Sequence, residues 1–577
     1  MTNAEVAAAF SAIAEILALQ GENPFRINAY ARAAITIAAL PRSLKDLYGE
    51  EGIAGLTELP GIGRDLSAKI EELVTTDKLV FLEKLKKQVP PGLLQIAEIP
   101  GMGPKKTSFV WKKFKVRSIA DLEKLIRSGK LARVKGWGEK SVQNALHGIE
   151  IRRVATLRTA LPAVLPLAEE MTAALRRTKL CDRIEIAGSL RRRCETIGDI
   201  DILVTSDHPE QVMEAFTSLP WVQEVTARGG TRSAVRLKSG MACDLRVVEP
   251  GVFGAALHYF TGSKAHNVHL RTIAVKRGMT ISEYGVFRGT AEKKGRMLAA
   301  ATEEQVFAAC GLPFIPPEMR EDRGEIEAAQ RGRLPVLIEE RDLTADLHLH
   351  SDFSDGSSSM IDMAKAAKAR GFQYIAITDH GSSMGMVKGL KTANLREYLA
   401  RIDEVRSAVK GITILAGVEV DIEANGSLYL PDVVLGKLDW VVAAIHSRFS
   451  QSRGEATERM LRAIANPHVR VLAHPTARLL GKRPPIEFDA ERVLREAAKR
   501  GVALELNASI YRLDLNDVHC QLAKNVGAKI ALDSDAHNPS EFEYSYGIAQ
   551  ARRGWLEKGN VINTLPWKQF EKRVLKR

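Results

Sequence analysis

Residues 346–577 contain seven short apolar runs, and each run ends in histidine, acidic or amide side chains. Strands that alternate with helices pair in parallel, because a parallel neighbour is reached only through a crossover connection. If such a sheet closes into a barrel, the C-terminal ends of all its strands lie on one face. The sequence therefore predicts a barrel whose polar strand ends meet. The runs are Asp346–His350, Ile375–His380, Leu415–Glu419, Val441–His446, Val471–His474, Val502–Asn507 and Ile530–His537.

Nine side chains at or near these strand ends are of types that bind metal. They are His348, His350, Asp355, His380, Glu419, His446, His474, Asp535 and His537. A single such histidine is more often a hydrogen-bonded core residue, but six of the chain's 13 histidines lie here. Mixed imidazole and carboxylate ligands suit two or three ions of Zn²⁺ or Mn²⁺. Such a cluster predicts hydrolysis of a phosphodiester.

A second candidate site lies near residue 200. Residues 198–204 are predicted to form a strand in which Asp199 and Asp201 project from one face. Upstream, residues 188–193 read Gly-Ser-Leu-Arg-Arg-Arg and supply a small residue, a hydroxyl and cations that suit a phosphate chain. A lone pair of aspartates is more often solvated, but this upstream stretch favours a metal site that receives a triphosphate.

A third carboxylate comes from a predicted β-hairpin. Strands over residues 234–238 and 241–248 are joined by Ser239-Gly240, and Asp244 lies in the second strand. Three carboxylates offer only hard oxygen ligands, which favour Mg²⁺, with Mn²⁺ as the alternative. Two ions about 4 Å apart can neutralise the attacking and leaving oxygens of a displacement at phosphorus. We therefore predict nucleotidyl transfer with Asp199, Asp201 and Asp244 as the catalytic, metal-binding residues.

Three glycine-rich turns repeat in the first 150 residues, at 59–63, 99–103 and 134–138, each before a basic helix-forming segment. Backbone N–H groups at the start of a helix can hold a phosphate without reading a base. One such turn could simply connect packed helices, whereas three with basic flanks favour DNA. The predicted DNA-backbone contacts are Gly61, Gly63, Gly101, Gly103, Lys105, Gly136 and Gly138. They resemble helix-hairpin-helix motifs.

The net charge of +13 agrees with a polyanionic partner. The five cysteines include no Cys-x-x-Cys pair, so the sequence indicates neither a disulfide framework nor a zinc finger. The N-terminus has no signal-peptide pattern, and no apolar run reaches membrane-spanning length. We expect a cytoplasmic protein that does not enter a membrane.

The stretch around Gly188, Asp199 and Asp201 resembles the palm of family X DNA polymerases, the class that includes polymerase β. The resemblance implies that Asp199 and Asp201 bind both metal ions and that Asp244 joins them at the catalytic ion. It also implies a nucleotide-binding set made of Gly188, Ser189, Arg192 and Gly198, in which Ser189 and Arg192 hold the β and γ phosphates. Arg193-Cys194 stands where the family usually has glycine, which would add a cation or alter the turn.

Residues 259–262, Tyr-Phe-Thr-Gly, resemble the nucleotide pocket of the family's thumb domain. The resemblance implies that Tyr259, Phe260 and Gly262 lie against the incoming sugar and that Asn267 touches the edge of the new base. Arg271 would contact the template strand. Both minor-groove contacts would be indifferent to sequence, because the acceptors there recur in every base pair.

Residues 1–80 resemble the small N-terminal domain of polymerase β, with Asn28-Ala29-Tyr30 and Lys69 on its motif. Lys69 stands where a lyase nucleophile would lie. Asp65, one helical turn earlier, replaces a position that is basic in lyase-active relatives and would keep the ammonium charged. We therefore expect Lys69 chiefly to contact DNA phosphate, with lyase activity as the less favoured role.

The last segment resembles the PHP (polymerase and histidinol phosphatase) domain over its full length, which implies a distorted seven-stranded β/α barrel. All nine ligand positions of that family are filled here. Residues 507–514, Asn-Ala-Ser-Ile-Tyr-Arg-Leu-Asp, resemble the version attached to bacterial family X enzymes, where Arg512 could contact the nucleic acid.

The chain as a whole thus resembles a bacterial family X DNA polymerase with an active PHP domain, a multidomain α+β and α/β protein. We expect a monomer that fills short gaps in gapped or primed double-stranded DNA from dNTPs during base excision repair. The barrel would act as a 3′–5′ exonuclease and could also cut at abasic sites. The predicted domains are 1–80 (N-terminal, DNA-binding), 81–150 (helix-hairpin-helix), 151–250 (palm), 251–317 (thumb), 318–345 (linker) and 346–577 (PHP).

Two other functions are compatible with these motifs. The barrel could be a small-molecule phosphatase that resembles histidinol phosphatase. Alternatively, the chain could be a DNA-end scaffold with silent sites, although no expected ligand is missing from the sequence. Comparing hydrolysis of recessed 3′-end DNA with that of a soluble phosphate monoester would separate the first alternative from an exonuclease.

Overall fold

The computed structural model describes residues 1, 3–38, 40, 43–59, 61–97, 99, 102–131, 134, 137–138, 142–143, 145–146, 149, 158–290, 293–382, 389–480 and 483–576. The chain divides into two compact units, Met1–Leu157 and Arg158–Arg577. Among the described residues, no helix combines the length and the apolar character needed to cross a membrane.

The described residues of the first unit form eight α-helices around one apolar core. Helix α1 ends where Gly21 takes a left-handed backbone conformation, with φ of 81°. The helices are α1 (Asn3–Gln20), α2 (Pro24–Ala38), α3 (Leu44–Thr57), α4 (Arg64–Thr76), α5 (Val80–Gln88), α6 (Gly92–Ala97), α7 (Gly103–Phe114) and α8 (Ile119–Arg127).

The described residues of the three repeated turns share one backbone hydrogen bond, although the second glycine is extended in the first turn (Gly63, φ −88°) and left-handed in the second (Gly103, φ 57°). In each, the buried residue between the two glycine positions donates its N–H to the carbonyl three residues earlier. These hydrogen bonds are Ile62 to Leu59 (3.0 Å), Met102 to Ile99 (2.9 Å) and Trp137 to Val134 (2.9 Å). The repeat therefore reflects one structural motif used three times, in which the apolar middle residue anchors the turn in the core.

A five-stranded sheet forms the centre of residues 158–250, with strand order β2-β4-β7-β6-β5. Strands β4 and β7 pair in parallel, and the other neighbours are antiparallel. The elements are β1 (Thr159–Ala160), α9 (Leu161–Arg177), β2 (Arg183–Ile186), α10 (Gly188–Arg191), β3 (Thr196–Ile197), β4 (Asp199–Thr205), α11 (Pro209–Thr217), β5 (Val222–Arg228), β6 (Arg232–Leu237) and β7 (Ala242–Val247). The sequence analysis did not predict β5, an edge strand whose residues are mostly exposed and lack apolar alternation.

Residues 253–330 add helices and a three-stranded antiparallel sheet of order β10-β9-β8. The elements are α12 (Phe253–Thr261), α13 (Lys264–Lys276), β8 (Met279–Ser282), β9 (Gly285–Gly289), β10 (Lys294–Ala299), α14 (Glu303–Ala309) and α15 (Glu325–Gln330). Helix α12 begins next to a closely packed backbone, since a Cβ on Gly254 would lie 2.2 Å from Thr302 Cα.

In the segment 318–345, expected to link two bodies, residues 318–329 are buried or half-buried, whereas 330–333, 336 and 339–341 are exposed. Arg320 and Glu325 are fully buried, and the Glu325 carboxylate lies 2.6 Å from His266 Nδ1. Glu318 accepts a hydrogen bond from Arg552 of the last domain at 2.7 Å. The charged composition that suggested a linker instead serves buried ion pairs between neighbouring parts of the same compact unit.

In the described part of residues 345–576, seven strands form the expected parallel sheet, in the order β11-β12-β14-β15-β16-β17-β18, with the two-residue strand β13 beside β14. The strands are β11 (Ala345–Leu349), β12 (Tyr374–Ile377), β13 (His380–Gly381), β14 (Thr413–Asp421), β15 (Trp440–Ala444), β16 (Val469–Leu472), β17 (Ala503–Asn507) and β18 (Ile530–Asp533). A parallel bridge between Leu349 and Ala536 joins the first strand to the segment after the last. The sheet is therefore nearly closed, as the sequence predicted.

Helices cover the outside of this barrel, and a separate apolar cluster fills its inside. The helices are α16 (Met360–Ala369), α17 (Leu395–Ala408), α18 (Asp432–Leu435), α19 (Arg453–Ala465), α20 (Ala490–Arg500), α21 (Asp517–Val526), α22 (Ser545–Arg553) and α23 (Trp567–Phe570). Strand residues are buried on both faces, which explains why the runs are continuously apolar.

Candidate functional site

The three palm carboxylates lie on neighbouring parallel strands. Asp201 of β4 is directly beside Asp244 of β7, and Asp199 precedes Asp201 by two residues on the same face. Burial, together with the charges of Asp199 and Asp244, raises the pKa of Asp201 to about 7. Burial and the charge of Asp244 also raise the pKa of Asp199. Three acids this close favour a cation between them.

The guanidinium of Arg232 already contacts one of the three palm carboxylates, that of Asp244. Arg232 donates to Asp244 Oδ2 at 2.7 Å across the hairpin formed by β6 and β7. The Arg232 side chain is half exposed, so this ion pair can yield to a stronger cation without exposing a buried charge. Arg232 was not among the predicted site residues, because it lies two residues before the first predicted strand of the hairpin, which in the structure begins at Arg232 itself.

Gly188 is required by its surroundings. Its φ is 62°, and a Cβ at this position would lie 2.3 Å from Asp201 Oδ2. The turn after strand β2 therefore passes against the carboxylate, as expected for a backbone that brings phosphate to metal. Gly198 is different, because a Cβ there would meet only Arg158 Nη1 at 3.5 Å, an ordinary contact. Its predicted role depends on a bound nucleotide.

The three consecutive arginines of this turn have different environments. Arg191 binds the buried carboxylate of Glu303 with both terminal nitrogens, at 2.8 and 2.6 Å. Arg192 donates from Nε to Glu321 at 2.9 Å and from Nη1 to the Thr261 carbonyl at 2.8 Å. Arg191 also donates to Thr261 Oγ1 at 2.9 Å, so both arginines join the phosphate turn to the end of helix α12.

Arg193 stands where the family usually has glycine, and its backbone shows whether the turn is altered there. Its φ is 56°, the left-handed conformation that glycine adopts most easily, and its carbonyl accepts a hydrogen bond from Gln550 at 3.0 Å. The turn therefore keeps a backbone shape suited to glycine but is built with arginine. The partner, Gln550, belongs to helix α22 of the barrel domain.

The residues of the predicted sugar pocket lie at the C-terminal end of helix α12. Tyr259 and Phe260 lie in the last turn of α12, and the Asn267 side chain donates to the Tyr259 carbonyl at 2.7 Å. Gly262 is needed here, since a Cβ would lie 2.4 Å from Asn267 Oδ1. The guanidinium of Arg271 stands 6.0 Å from the centre of the Tyr259 ring. The predicted nucleotide and template residues therefore form one contact group.

All nine barrel residues come together around Glu419. Its carboxylate lies 2.8 Å from His380 Nδ1, 3.1 Å from His446 Nε2 and 2.9 Å from His474 Nε2. His348 Nε2 and His350 Nε2 both approach Glu419 Oε2 at 3.6 Å. Three groups of these residues have ligand atoms close enough to hold an ion: His350–Asp355–His380–His537, His348–His350–Asp535 and His380–Glu419–His446.

The protonation states suit metal binding. Burial would raise the pKa of Glu419, but the charges of His446, His380 and His348 hold it well below its usual value. Burial and the charge of His380 lower the pKa of His350 to about 3, which leaves a neutral imidazole. In the described structure, Glu419 Oε2 and the Nδ1 of both His350 and His474 are buried without a hydrogen bond. His474, like His350, is neutral, whereas the neighbouring carboxylates raise the pKa values of His348, His380, His446 and His537, so these four imidazoles would release a proton when a divalent ion binds.

Two acids that the sequence analysis did not predict orient the imidazoles. Glu505 binds His348 Nδ1 at 2.6 Å and accepts the backbone N–H of His474 at 2.7 Å. Asp421 binds His446 Nδ1 at 2.7 Å. Such partners fix the ring that carries a ligand nitrogen. Asp421 is two residues after Glu419, and Glu505 is two residues before Asn507, so each lies on the same face of its strand as a residue at the predicted strand end. This alternation is the sequence signal that would have identified both acids.

Arg512, predicted to contact nucleic acid, lies at the edge of this cluster. Its Nε is 3.3 Å from Asp535 Oδ2, and Asn507 donates to the same oxygen at 3.0 Å. The guanidinium therefore neutralises a candidate ligand while most of its side chain remains buried. Its contact with nucleic acid stays a prediction.

In the first unit, the structure describes five of the seven predicted turn contacts. Gly61 and Gly103 have positive φ of 78° and 57°, and Gly63 precedes helix α4 as its N-cap. Lys105 and Gly138 are exposed. Gly101 and Gly136 lie outside the described residues. The turns thus present backbone at helix starts, and phosphate binding stays a prediction.

Lys69 forms the expected ion pair with Asp65, and its ammonium also stands 5.3 Å from the centre of the Phe81 ring. The ammonium therefore contacts a carboxylate and a ring face rather than another cation, the neighbour that would suit a nucleophilic lysine. This geometry agrees with a phosphate contact better than with a lyase.

Four family models match parts of the chain. They are the helix-hairpin-helix domain (residues 1–79), the SAM-like helix-hairpin-helix tandem (93–147), the DNA polymerase beta thumb (256–321) and the PHP domain (346–509). The thumb and PHP models overlap the segments that were predicted to be a thumb and a PHP domain, and the two helix-hairpin-helix models lie in the region of the repeated glycine turns.

One relative matches along almost the whole chain. It is the DNA polymerase/3'-5' exonuclease PolX of Bacillus subtilis (strain 168), 36% identical over 562 residues that cover 97% of each chain. Two probable phosphatases match a little over a third of the chain. That of Thermoanaerobacter sp. (strain X514) is 33% identical over 38% of this chain and 91% of its own. That of Caldanaerobacter subterraneus is 32% identical over 34% of this chain and 76% of its own.

Proposed function

Because the chain belongs to the bacterial family X DNA polymerases that carry a C-terminal PHP domain, we propose that it both extends and shortens DNA 3′ ends. Extension takes place at the palm carboxylates and shortening at the barrel cluster. The observation that carries the proposal is that one compact unit contains two groups of candidate metal ligands. One is formed by the carboxylates of strands β4 and β7, and the other by eight of the nine predicted barrel residues, with His474 2.9 Å from Glu419.

At the palm, we assign Asp199, Asp201 and Asp244 to Mg²⁺ or Mn²⁺. Two such ions, when bound, neutralise charge on the attacking and leaving oxygens. The Gly188 turn lets the triphosphate approach Asp201, and Arg192 meets its outer phosphates after exchanging one of its present partners. Asn267 and the end of helix α12 hold base edge and sugar, and neither contact depends on sequence.

At the barrel, we assign the nine residues around Glu419 to two or three ions of Zn²⁺ or Mn²⁺. Bound there, such ions activate water and clamp a phosphodiester. Glu505 and Asp421 hold the imidazoles in the ligand orientation, and Arg512 lies beside Asp535 where a DNA phosphate would pass. Cutting at abasic sites is a further reaction that the same arrangement would support.

The glycine turns of the first unit hold the DNA backbone in this proposal, with Lys69 as a phosphate contact. We further propose that the chain acts as a cytoplasmic monomer on gapped or primed double-stranded DNA, in base excision repair. Sedimentation with and without gapped DNA tests the stoichiometry, which should be one chain per gap.

Two assays on one labelled primer annealed to a longer template test this function. With dNTPs and Mg²⁺, the wild-type protein should extend the primer. Without dNTPs and with Mn²⁺, it should shorten the primer from the 3′ end, and His350→Asn should lose shortening by about 10³-fold while it retains extension. A higher kcat/KM for p-nitrophenyl phosphate than for the recessed DNA end would instead favour a phosphatase.

A further prediction concerns how the barrel domain supports the palm. Arg553 of helix α22 donates from Nη1 to the Arg192 carbonyl at 2.8 Å and to Glu321 at 2.9 Å, and its Nη2 lies 2.7 Å from Asp517. Arg553→Met should therefore misplace Arg192 and lower kcat/KM for dNTP by about 10- to 100-fold. The exonuclease rate should change less than about two-fold, because Arg553 does not contact the cluster.

Arg552→Met is the matched control. Arg552 is the preceding residue of the same helix and pairs with Glu318 at 2.7 Å. Loss of a comparable ion pair there should leave dNTP kinetics unchanged. Equal effects of the two variants on extension would contradict a specific role of Arg553, and so would a parallel loss of exonuclease activity in Arg553→Met.

A further inference from the structure

A cavity of about 550 Å³ opens beside the barrel cluster. Two candidate metal ligands, Asp535 and His537, line it together with Arg512, and the apolar side chains of Leu479, Ile510 and Tyr511 complete much of the wall. The volume is typical of a site that binds a small molecule. The cavity therefore places an apolar wall next to the atoms that would hold the ions.

The wall is held in place by the surrounding backbone. Asn507 and Asp514 exchange backbone hydrogen bonds at 2.6 and 3.2 Å, which closes the loop that carries Ile510 and Tyr511. Leu480 N–H donates to the Tyr511 carbonyl at 2.8 Å and joins this loop to the neighbouring one. The buried Arg478 side chain donates to the Arg512 carbonyl at 2.9 Å. The two loops thus form a preorganised surface.

Two apolar side chains on this surface face solvent. Tyr511 is 61% exposed and Ile510 is 39% exposed, although most large apolar residues of this domain are buried. Adjacent exposed apolar groups beside an ionic cluster indicate a binding surface. An exposed aromatic ring can stack on any nucleobase, because every base has a π face.

The charges of the cavity restrict what can occupy it. Glu541 and Glu543 also line the cavity, and the Glu541 carboxylate accepts a hydrogen bond from the backbone N–H of His537 at 2.8 Å. These acids disfavour a second phosphate group, whereas Arg512 and the ion-binding residues favour one phosphate. A neutral base attached to one reacting phosphate matches this distribution.

We propose that this cavity binds the base of the 3′-terminal nucleotide, by stacking on Tyr511 and packing against Ile510. The proposal rests on the exonuclease function proposed above and adds the part of the substrate that is recognised. Stacking holds the terminal base away from its template partner, so that its phosphodiester lies over the cluster. Because a ring face is shared by all four bases, shortening proceeds through any sequence.

The test compares two primers on the same template, one with an ordinary 3′ nucleotide and one with a 3′-terminal abasic tetrahydrofuran residue. Tyr511→Ala should lower kcat/KM for shortening the ordinary end by about 5- to 150-fold. Tyr511→Ala should lower kcat/KM for shortening the abasic end by less than two-fold, because that end has no base to stack. Tyr511→Phe keeps the ring and should restore the discrimination between the two ends.

Tyr284→Ala is the control, because Tyr284 is a similarly exposed tyrosine, at 58%, in the thumb region. Metal content measured on Tyr511→Ala should equal that of the wild type. Equal losses on both primers, or no loss on the ordinary end, would overturn the base site while leaving the exonuclease intact. Failure of the wild-type protein to shorten either primer would overturn the exonuclease function and the base site together.

Discussion

Asp201→Asn should abolish primer extension and, in the absence of divalent ions, make the protein more stable. The loss of extension should be about 10³-fold or more, because the variant lacks a carboxylate from the group that would hold both ions. The gain in stability follows from the environment of Asp201, whose ionised form is buried between Asp199 and Asp244. Activity and stability should thus change in opposite directions, which excludes unfolding as the cause of lost activity.

The pH dependence of this effect has a definite sign. The pKa of Asp201 is raised from 3.8 in the unfolded chain to about 7 in the folded one. Its protonated form therefore favours folding, and that contribution is complete below about pH 4 and is lost as pH rises through 7. The difference in unfolding free energy at pH 8 has an upper limit on the order of 4 kcal/mol. Asparagine, which does not ionise, should not show this loss.

Thermal unfolding in EDTA between pH 4 and pH 8 measures the difference. The wild-type transition that includes the palm should move to lower temperature across this range relative to the variant, and Mg²⁺ should restore the wild type only. Asp207→Asn, an exposed carboxylate beyond the same strand, is the control and should match the wild type. A variant that is less stable than wild type at pH 8, or that still extends primers, would refute the assignment.

Glu419→Gln should abolish shortening of DNA and should destabilise the barrel, the reverse of the effect at the palm. The neighbouring imidazoles hold the pKa of Glu419 well below its usual value, so its charge stabilises the fold above the unfolded pKa near 4.5. That stability is lost only as pH falls through the lower folded pKa. At neutral pH, removal of one partner from this buried group should cost about 3–5 kcal/mol.

Metal analysis after dialysis provides a readout independent of activity. Glu419→Gln should retain fewer ions per chain than the wild type, and its rate of shortening should fall by about 10³-fold. Extension should remain within about two-fold of wild type. Glu458→Gln, which removes an exposed pair with Arg492, is the control and should alter neither quantity. Full ion content in Glu419→Gln would remove Glu419 from the candidate ligands.

Local patterns in the sequence predicted those parts of the site that belong to a single strand or turn. Alternation along a strand put Asp199 and Asp201 on one face, and the glycine turns at 59–63 and 99–103 were predicted to precede helices, as they do before α4 and α7. The barrel residues were found because parallel strands end at a common edge, so a shared polar ending predicts proximity without knowledge of register.

Contacts between distant segments were decided by the tertiary structure. Arg191 and Arg192 are adjacent and chemically identical, yet Arg191 binds the buried carboxylate of Glu303 and Arg192 binds that of Glu321. The partners lie more than one hundred residues away, so no local spacing could distinguish the two arginines.

The same holds for Glu321 and Glu325 of the expected linker, because Glu321 pairs with Arg192 and Arg553, and Glu325 is buried against His266. The sequence by itself determined which side chains could bind ions, because that depends on residue type and strand or turn periodicity. Only the tertiary structure decided which charges are paired, buried and preorganised, because those properties depend on neighbours that the chain brings together from far apart.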